Sequence, residues 1–519
     1  MLKRLFGKPR SVPAAVESPP AIRFPRGFDS DYYFGKLNSA ALEYSDAYRR
    51  DICRTDPMMF GICYMSRHLI SPETGPDINI SQFHLDIAEA AVRWMRNDLG
   101  PSELREAWIV ARGGAKSTWT FTILACWALA FGHRRFIASF GANNNAVTRH
   151  FATLREEFAT NELLRADFPD LCEPAKVGGK ARSDNANAYI ARSGAVMMAH
   201  GIDSTQLGAK VGNIRPDLIL FDDCESDEGN YSPYQKDRRL STMTNGVLAM
   251  NPNAVVQLCG TVTMYGSITH DLVRWALNER DTANQWVGEQ NIRPRYYAPI
   301  VTDDAGNESS FWEARYSLEY LRSIRGTTYY ELNFLNLPRS TKDGLWQPSD
   351  IVVNERMTTT DRVMRIDPSV STKDTSDQTG IGVAGLGPMG NVLIEYAIGV
   401  RPEPDELRDL VGRITWNNRN IHEVHLETNQ GGNVMVATIR PVLPPGVKLV
   451  EVWTGESKDA RFWRFFDFHK LGWVYYAETF PELRKQMLGY PKTRLDDILD
   501  AVSGAADHFL KGRPRPMMR

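Results

Sequence analysis

No apolar run in this 519-residue sequence reaches the roughly 18 residues that a membrane span needs, so the chain reads as soluble with no membrane partner. Cysteine is scarce. Cys53, Cys63, Cys126, Cys172, Cys224 and Cys259 stand apart without the paired spacing of a zinc site, which fits free thiols in a reducing cytosol. Net charge is only −2, which argues against a protein that coats nucleic acid over its whole surface but allows local basic faces beside acidic clusters. The first ten residues are basic, yet Ser11 to Pro20 replaces the sustained apolar segment of a secretory signal, so residues 1–40 read as a flexible basic arm.

What is present is ordinary globular material, 42% hydrophobic and 24% charged, in a chain long enough for two or three cores. Its organising stretch is Trp108-Ile109-Val110-Ala111-Arg112-Gly113-Gly114-Ala115-Lys116-Ser117-Thr118. An apolar strand feeding a small-residue turn points backbone N–H groups into a concavity, and the following helix adds its positive end, which suits a nucleotide's phosphates. Lys116 is placed to reach the β/γ-phosphates and the Ser117 hydroxyl to ligate Mg²⁺. Glycine is the usual residue where this chain has Val110 and Ala115. Upstream, Gln82 opens a predicted helix where its amide could read adenine.

Beyond the loop, short apolar runs alternate with helical patterns, which predicts a parallel α/β sheet. In Pro216-Asp-Leu-Ile-Leu-Phe-Asp-Asp-Cys-Glu-Ser226 a buried strand presents Asp222, Asp223 and Glu225 at its carboxyl end, where ligands of open α/β sheets bind. One acid there can hold Mg²⁺ while another orients the attacking water. The next strand ends in Gly260-Thr261, whose hydroxyl could sense the γ-phosphate. Ser204 to Gly212 reads either as a phosphate-facing loop or as plain surface.

Turn residues and charges at 339–360 mark a linker, and a different pattern follows. Three strands form an antiparallel meander, then come a helix, a strand, a second helix and strand, and a final helix through Glu482 to Leu510. Asp367 and Glu427 end two of these strands, and Asp496, Asp497 and Asp500 lie on the last helix. That order describes a ribonuclease-H-like core, whose acids hold two divalent cations about 4 Å apart. Hard oxygen donors select Mg²⁺ or Mn²⁺. The arginine- and aromatic-rich segment Lys458 to Tyr476 reads either as core or as a DNA contact using Arg461, Arg464 and Lys470. Residues 511–519 form a basic tail.

A P-loop (Walker A) ATPase joined to a ribonuclease-H-like nuclease resembles the large terminase subunit of tailed bacteriophages, over roughly residues 60 to 510. Ala-Arg-Gly-Gly-Ala-Lys-Ser-Thr is similar to that family's phosphate loop, which implies nucleotide contacts from Arg112, Gly113, Gly114, Ala115, Lys116, Ser117 and Thr118, with Arg112 also a catalytic arginine in cis. The resemblance makes Asp222 the Mg²⁺-side acid, leaves Asp223 or Glu225 as the catalytic acid, and assigns Gln82 to adenine and Thr261 to coupling. In the second half it implies metal binding by Asp367, Asp377, Glu427 and some of Asp496, Asp497 and Asp500, with Asp497 favoured and Asp496 beside it.

The expected architecture is therefore α/β: an ATPase domain with N-terminal helices at 41–338 and a nuclease domain at 361–510. The expected cofactors are ATP and Mg²⁺, with Mn²⁺ able to serve the nuclease. The resemblance implies ATP-driven movement of double-stranded DNA into procapsids and cutting of concatemers at initiation and termination. It also implies a small terminase subunit and the portal as partners, a ring of five on the portal, a monomer as the alternative in solution, and work in the host cytoplasm. Two rival readings are a helicase-nuclease of DNA repair or defence and a non-catalytic DNA-binding scaffold.

Overall fold

A computed structural model describes residues 20–511 except 40–41, 43–44, 205–209, 212, 226–232, 339–343, 370–377, 419, 429–432, 457 and 494. The chain forms two compact units. One runs through Leu321 and includes Leu332–Pro338; the other comprises Arg322–Glu331 and the chain from 339 onward. Among the described residues no helix is long and apolar enough to cross a membrane.

The core of the first unit is a seven-stranded sheet. Its strands are β1 (Arg105–Ile109), β2 (Phe136–Gly141), β3 (Ala188–Ile190), β4 (Val196–Gly201), β5 (Leu218–Asp222), β6 (Val255–Cys259) and β7 (Arg293–Tyr296). The spatial order is β7-β1-β6-β5-β2-β4-β3, parallel throughout except for the edge strand β3. Every residue of β1, β2, β5 and β6 is buried, as near-continuous apolar runs in a sheet covered on both faces require. The helices that matter for the site are α1 (Gln82–Ala91), α2 (Ala125–Ala130), α3 (Asn144–Thr160) and α4 (Ile268–Ala276). A π-helical stretch, Thr118–Leu124, leads into α2.

Residues 20–39, expected as part of a flexible arm over 1–40, are ordered against the first unit. Ile22–Arg23 pairs in parallel with Ile78–Asn79, and Phe24 stacks on Phe28 and Tyr33 against the core. Burial of these rings ties residues 20–39 to the first unit; residues 1–19 lie outside the described residues.

The second unit is built on a six-stranded sheet of β8 (Asp361–Asp367), β9 (Thr379–Leu386), β10 (Val392–Val400), β11 (Ile421–Glu427), β12 (Lys448–Val452) and β13 (Val474–Tyr476). Its order is β12-β11-β8-β9-β10-β13. The meander β8-β9-β10 is antiparallel, and β11 lies parallel to β8 on one side and to β12 on the other, a ribonuclease-H-like arrangement. Helices α5 (Pro404–Asn417), α6 (Lys458–Lys470), α7 (Pro481–Gly489) and α8 (Asp497–Leu510) complete it.

Two sequence expectations change here. The single final helix is two, because Pro491 supplies no amide to continue α7. The segment from Lys458 is the buried helix α6, and its basic residues are committed to acids: Arg461 to Asp500, Arg464 to Asp507 and Glu456, Lys470 to Asp350. Phe462, Phe465 and Phe466 pack in the core, which favours the core reading of the segment.

Candidate functional site

The loop after β1 takes its shape from two left-handed residues. Gly113 sits at φ +76, and a Cβ there would also collide with the Tyr316 hydroxyl. Ala115 sits at φ +63, where glycine is the default and an L side chain costs about 1–2 kcal/mol. At Val110 only the backbone matters, because its carbonyl accepts a 2.9 Å hydrogen bond from Lys116 Nζ while its side chain is fully buried. Both departures from glycine thus have a physical account: one is strained and one needs no special conformation.

Besides the bond from Arg112 N to Asn333 O at 2.6 Å, side chains of two residues hold the loop from outside. His84 of α1 accepts from Ser81 N through Nδ1, so its Nε2–H donates to Gly114 O at 3.3 Å. Burial pushes the His84 imidazole down to about 3, so it stays neutral. The Tyr316 hydroxyl donates to Arg112 O at 2.6 Å. The loop opens on a cavity of about 330 Å³, lined also by Arg112, Arg315, Trp312 and Thr118.

Lys116 is 6% exposed and donates to Thr261 Oγ1 at 3.1 Å as well as to Val110 O. Burial pushes its ammonium down, against the attraction of Asp223 and Asp222. Ser117 Oγ donates to Asp222 Oδ1 at 2.8 Å, and His150 Nε2 lies 2.7 Å from Asp222 Oδ2. Asp223, left-handed at φ +37, accepts from Thr261 N at 2.9 Å and lines the cavity. Burial and the adjacent Asp222 push its carboxyl up, opposed by Lys116. The strand lying between β1 and β5 is β6, later in the chain than either, so Thr261 stands between the loop and the acids.

Two residues assigned from the sequence are elsewhere. Glu225 accepts from Ile268 N at 2.7 Å, Thr269 N at 2.9 Å and Thr269 Oγ1 at 3.1 Å, so it caps α4 instead of facing the cavity. A helix start offers unpaired N–H groups that capture a nearby carboxylate. Gln82 is exposed and donates to Asp86 Oδ1 at 2.7 Å, one helical turn away; it does not line the cavity. His84, His150, Arg315 and Tyr316 went unread because their partners are distant in sequence; the His at the third position of α1 was the one local signal.

In the second unit, parallel pairing of β8 with β11 puts Asp367 and Glu427 at neighbouring strand ends. Helix α8 lies close above β9 because Gly380 and Gly382 have no side chains; a Cβ at Gly380 would collide with Asp497 O. This brings the first turn of α8 to the strand ends. Asp497 Oδ2 accepts from Gln378 N at 2.9 Å, and Asp496 Oδ1 from Lys458 Nζ at 2.9 Å. Asp500 is paired with Arg461 at 2.6 Å, and Glu427 with Arg365 at 2.6 Å. Arg365 had no sequence signal, and the arginine-rich pattern around Lys458 and Arg461 pointed to core or DNA and not to these acids. Asp377 lies outside the described residues.

Five carboxylates here (Asp367, Glu427, Asp496, Asp497, Asp500) meet three cations (Arg365, Lys458, Arg461), leaving two surplus negative charges when all are ionised. Asp367 carries the consequence. Burial, then Asp500 and Glu427, push its carboxyl up to about 8, with Lys458 opposing. Asp500 acts on Asp367 more strongly than Asp497, the residue favoured from the sequence. A surplus of oxygen donors around a buried carboxyl suits a hard divalent cation. In the first unit, Ser117 and Asp222, beside the loop's backbone amides, fit a nucleotide-bound Mg²⁺.

No protein-family profile matches the chain, and no curated protein matches it. The solved structures similar to it include phage large terminases. The large terminase of a thermophilic bacteriophage aligns over 83% of this chain and 99% of its own, at 12% identity and TM-score 0.44. That of bacteriophage HK97 aligns over 86% and 99%, at 12% identity and TM-score 0.34. The human cytomegalovirus terminase nuclease domain aligns over 31% of this chain and 87% of its own, at 14% identity and TM-score 0.25.

Proposed function

We propose that this chain is a DNA-packaging motor and nuclease: ATP hydrolysis in the first unit moves double-stranded viral DNA into procapsids, and the second unit cuts the concatemer. The observation that carries the reading is the coexistence in one chain of a phosphate-type loop joined to strand-end acids (Lys116, Ser117, Asp222, Asp223) and a carboxylate cluster on a ribonuclease-H-like sheet.

In this reading Lys116 and the amides of Gly113, Ala115 and Ser117 hold the phosphates, while Gly114, whose amide closes the turn onto Ala111 O at 3.0 Å, and Thr118 border them. Ser117 and Asp222 would hold Mg²⁺, which when bound would supply charge neutralisation on the transferred phosphoryl group. Asp223 orients the attacking water and takes its proton, a task helped by its raised carboxyl pKa. Arg112 and Arg315 bring positive charge to the cavity. Thr261, bonded to both Lys116 and Asp223, senses the change between nucleotide states. In the nuclease unit Asp367 and Glu427, with Asp500, Asp497 and Asp496 around them, hold Mg²⁺ or Mn²⁺ for water activation and leaving-group stabilisation. The partners are double-stranded DNA, a small terminase subunit and the portal, with five copies on the portal.

The test is packaging of DNA into purified procapsids, scored as protection from added nuclease with and without ATP. ATP-dependent protection supports the motor. Unwinding of a forked duplex without any procapsid-dependent protection would assign the chain to the helicase-nucleases instead.

A further inference from the structure

On the face of β11 that meets α8, Glu423, His425 and Glu427 follow one another at every second residue. Along α8, Asp500, Gly504 and His508 follow at every fourth and form one stripe. The two rows meet in order. At the carboxylate end Arg461 bridges Glu427 and Asp500 at 3.9 and 2.6 Å. In the middle Arg365 passes beside Gly504, where Nε would lie 3.1 Å from a Cβ. At the far end the His425 and His508 rings meet with centroids 5.1 Å apart at 72°.

That far end differs in chemistry from the carboxylate end. His425 Nε2 lies 2.8 Å from Glu423 Oε2, and one donor atom from each of Glu423, His425 and His508 lies within 4.8 Å of the others. We propose that Glu423, His425 and His508 form a second metal site, which takes a borderline transition-metal ion of the Zn²⁺ class and fastens the C-terminal half of α8 to β11.

Two imidazoles and one carboxylate are a common three-residue set for Zn²⁺, with water in the fourth position. Imidazole nitrogen favours Zn²⁺, Co²⁺ or Ni²⁺ over Mg²⁺, whereas the all-oxygen cluster at Glu427 favours the reverse. Bond lengths near 2.1 Å put tetrahedral ligand atoms about 3.4 Å apart. To reach that spacing the Glu423–His425 pair, at 2.8 Å, must open slightly and the exposed His508 must swing in from within 4.8 Å. Glu423 and His425 are 28% and 12% exposed, so two ligands are held by the sheet and the third is open to solvent for entry of the ion. The neighbouring cations are Arg365, committed to Glu427, and Lys448 beside Glu423.

The test uses the untagged full-length chain, stripped with chelator and titrated with Co²⁺ and then Zn²⁺. Wild type is expected to develop a visible Co²⁺ band typical of nitrogen ligation, bleached by about one equivalent of Zn²⁺ and untouched by Mg²⁺. His508→Ala, at an exposed position that leaves packing intact, should weaken Zn²⁺ binding by more than about tenfold and abolish the Zn²⁺-induced rise in melting temperature. Asp367→Asn should retain the band. Equal Zn²⁺ titrations of wild type, His508→Ala and His425→Gln would overturn the proposal, as would loss of the band in Asp367→Asn.

Discussion

Ser117 and Asp222, 105 positions apart, are joined by a 2.8 Å hydrogen bond from Oγ to Oδ1. Both oxygens are the ones that would hold a nucleotide's Mg²⁺ in the proposed site. Ser117→Ala is therefore expected to raise the Mg²⁺ concentration for half-maximal ATP hydrolysis by about tenfold, and Lys116→Ala to abolish hydrolysis. Phosphate-release assays across a Mg²⁺ series check this; an unchanged Mg²⁺ dependence in Ser117→Ala would remove the residue from the site.

Asp223 and Glu225 separate by assay. Asp223→Asn should retain nucleotide binding and lose hydrolysis by about 10²-fold or more, the contribution of a positioned base. Glu225→Ala should cost about 1–2 kcal/mol of stability, as loss of a helix cap does, with hydrolysis per folded molecule retained. Fluorescent-nucleotide binding, ATPase rates and thermal melts on both variants distinguish the two roles.

Asp367 makes a pH prediction. Its folded value near 8 lies above the ordinary carboxyl value of 3.8, so its contribution to stability is full below pH 4 and lost as pH rises through 8. About three pH units at 1.36 kcal/mol each put the penalty near 4 kcal/mol at pH 7 without metal. In chelator, wild type should lose stability from pH 5 to 8 relative to Asp367→Asn, and Mn²⁺ should restore it. Parallel pH profiles for the two proteins would contradict the assignment. The same variant should have lost plasmid cutting in Mn²⁺.

Arg461 is 5% exposed and Asp500 is 2% exposed. Arg461→Ala leaves the buried Asp500 carboxylate to Lys458 at 3.4 Å and should destabilise the second unit by up to about 3–5 kcal/mol. Adding Asp500→Ala should recover part of that loss, read as a rise in melting temperature of the double variant over the single one.

What was legible in the sequence was whatever repeats locally. The all-buried strand before the loop, the strand ending at Asp222, and the strand-end positions of Asp367 and Glu427 follow from apolar runs broken by acids. Placement failed where a side chain had a nearer competitor: α4's free amides took Glu225, and Asp86 took Gln82. Residues that reach across the fold left no local pattern. His84 lies 30 positions from Gly114, Tyr316 lies 204 from Arg112, and His425 and His508 sit on different elements of the second unit. Arg461 carried a misleading signal, since an arginine among aromatics looks alike whether it meets phosphate or a buried aspartate.

His84 and Tyr316 grip two successive parts of the loop, the carbonyls of Gly114 and Arg112. A segment clamped on both sides and set by two left-handed residues is a mould finished during folding, so an arriving phosphate meets amides already aimed. Such a part is a poor spring. In the proposed motor the stroke would start instead at Thr261, whose backbone N–H is tied to Asp223 and whose Oγ1 is tied to Lys116.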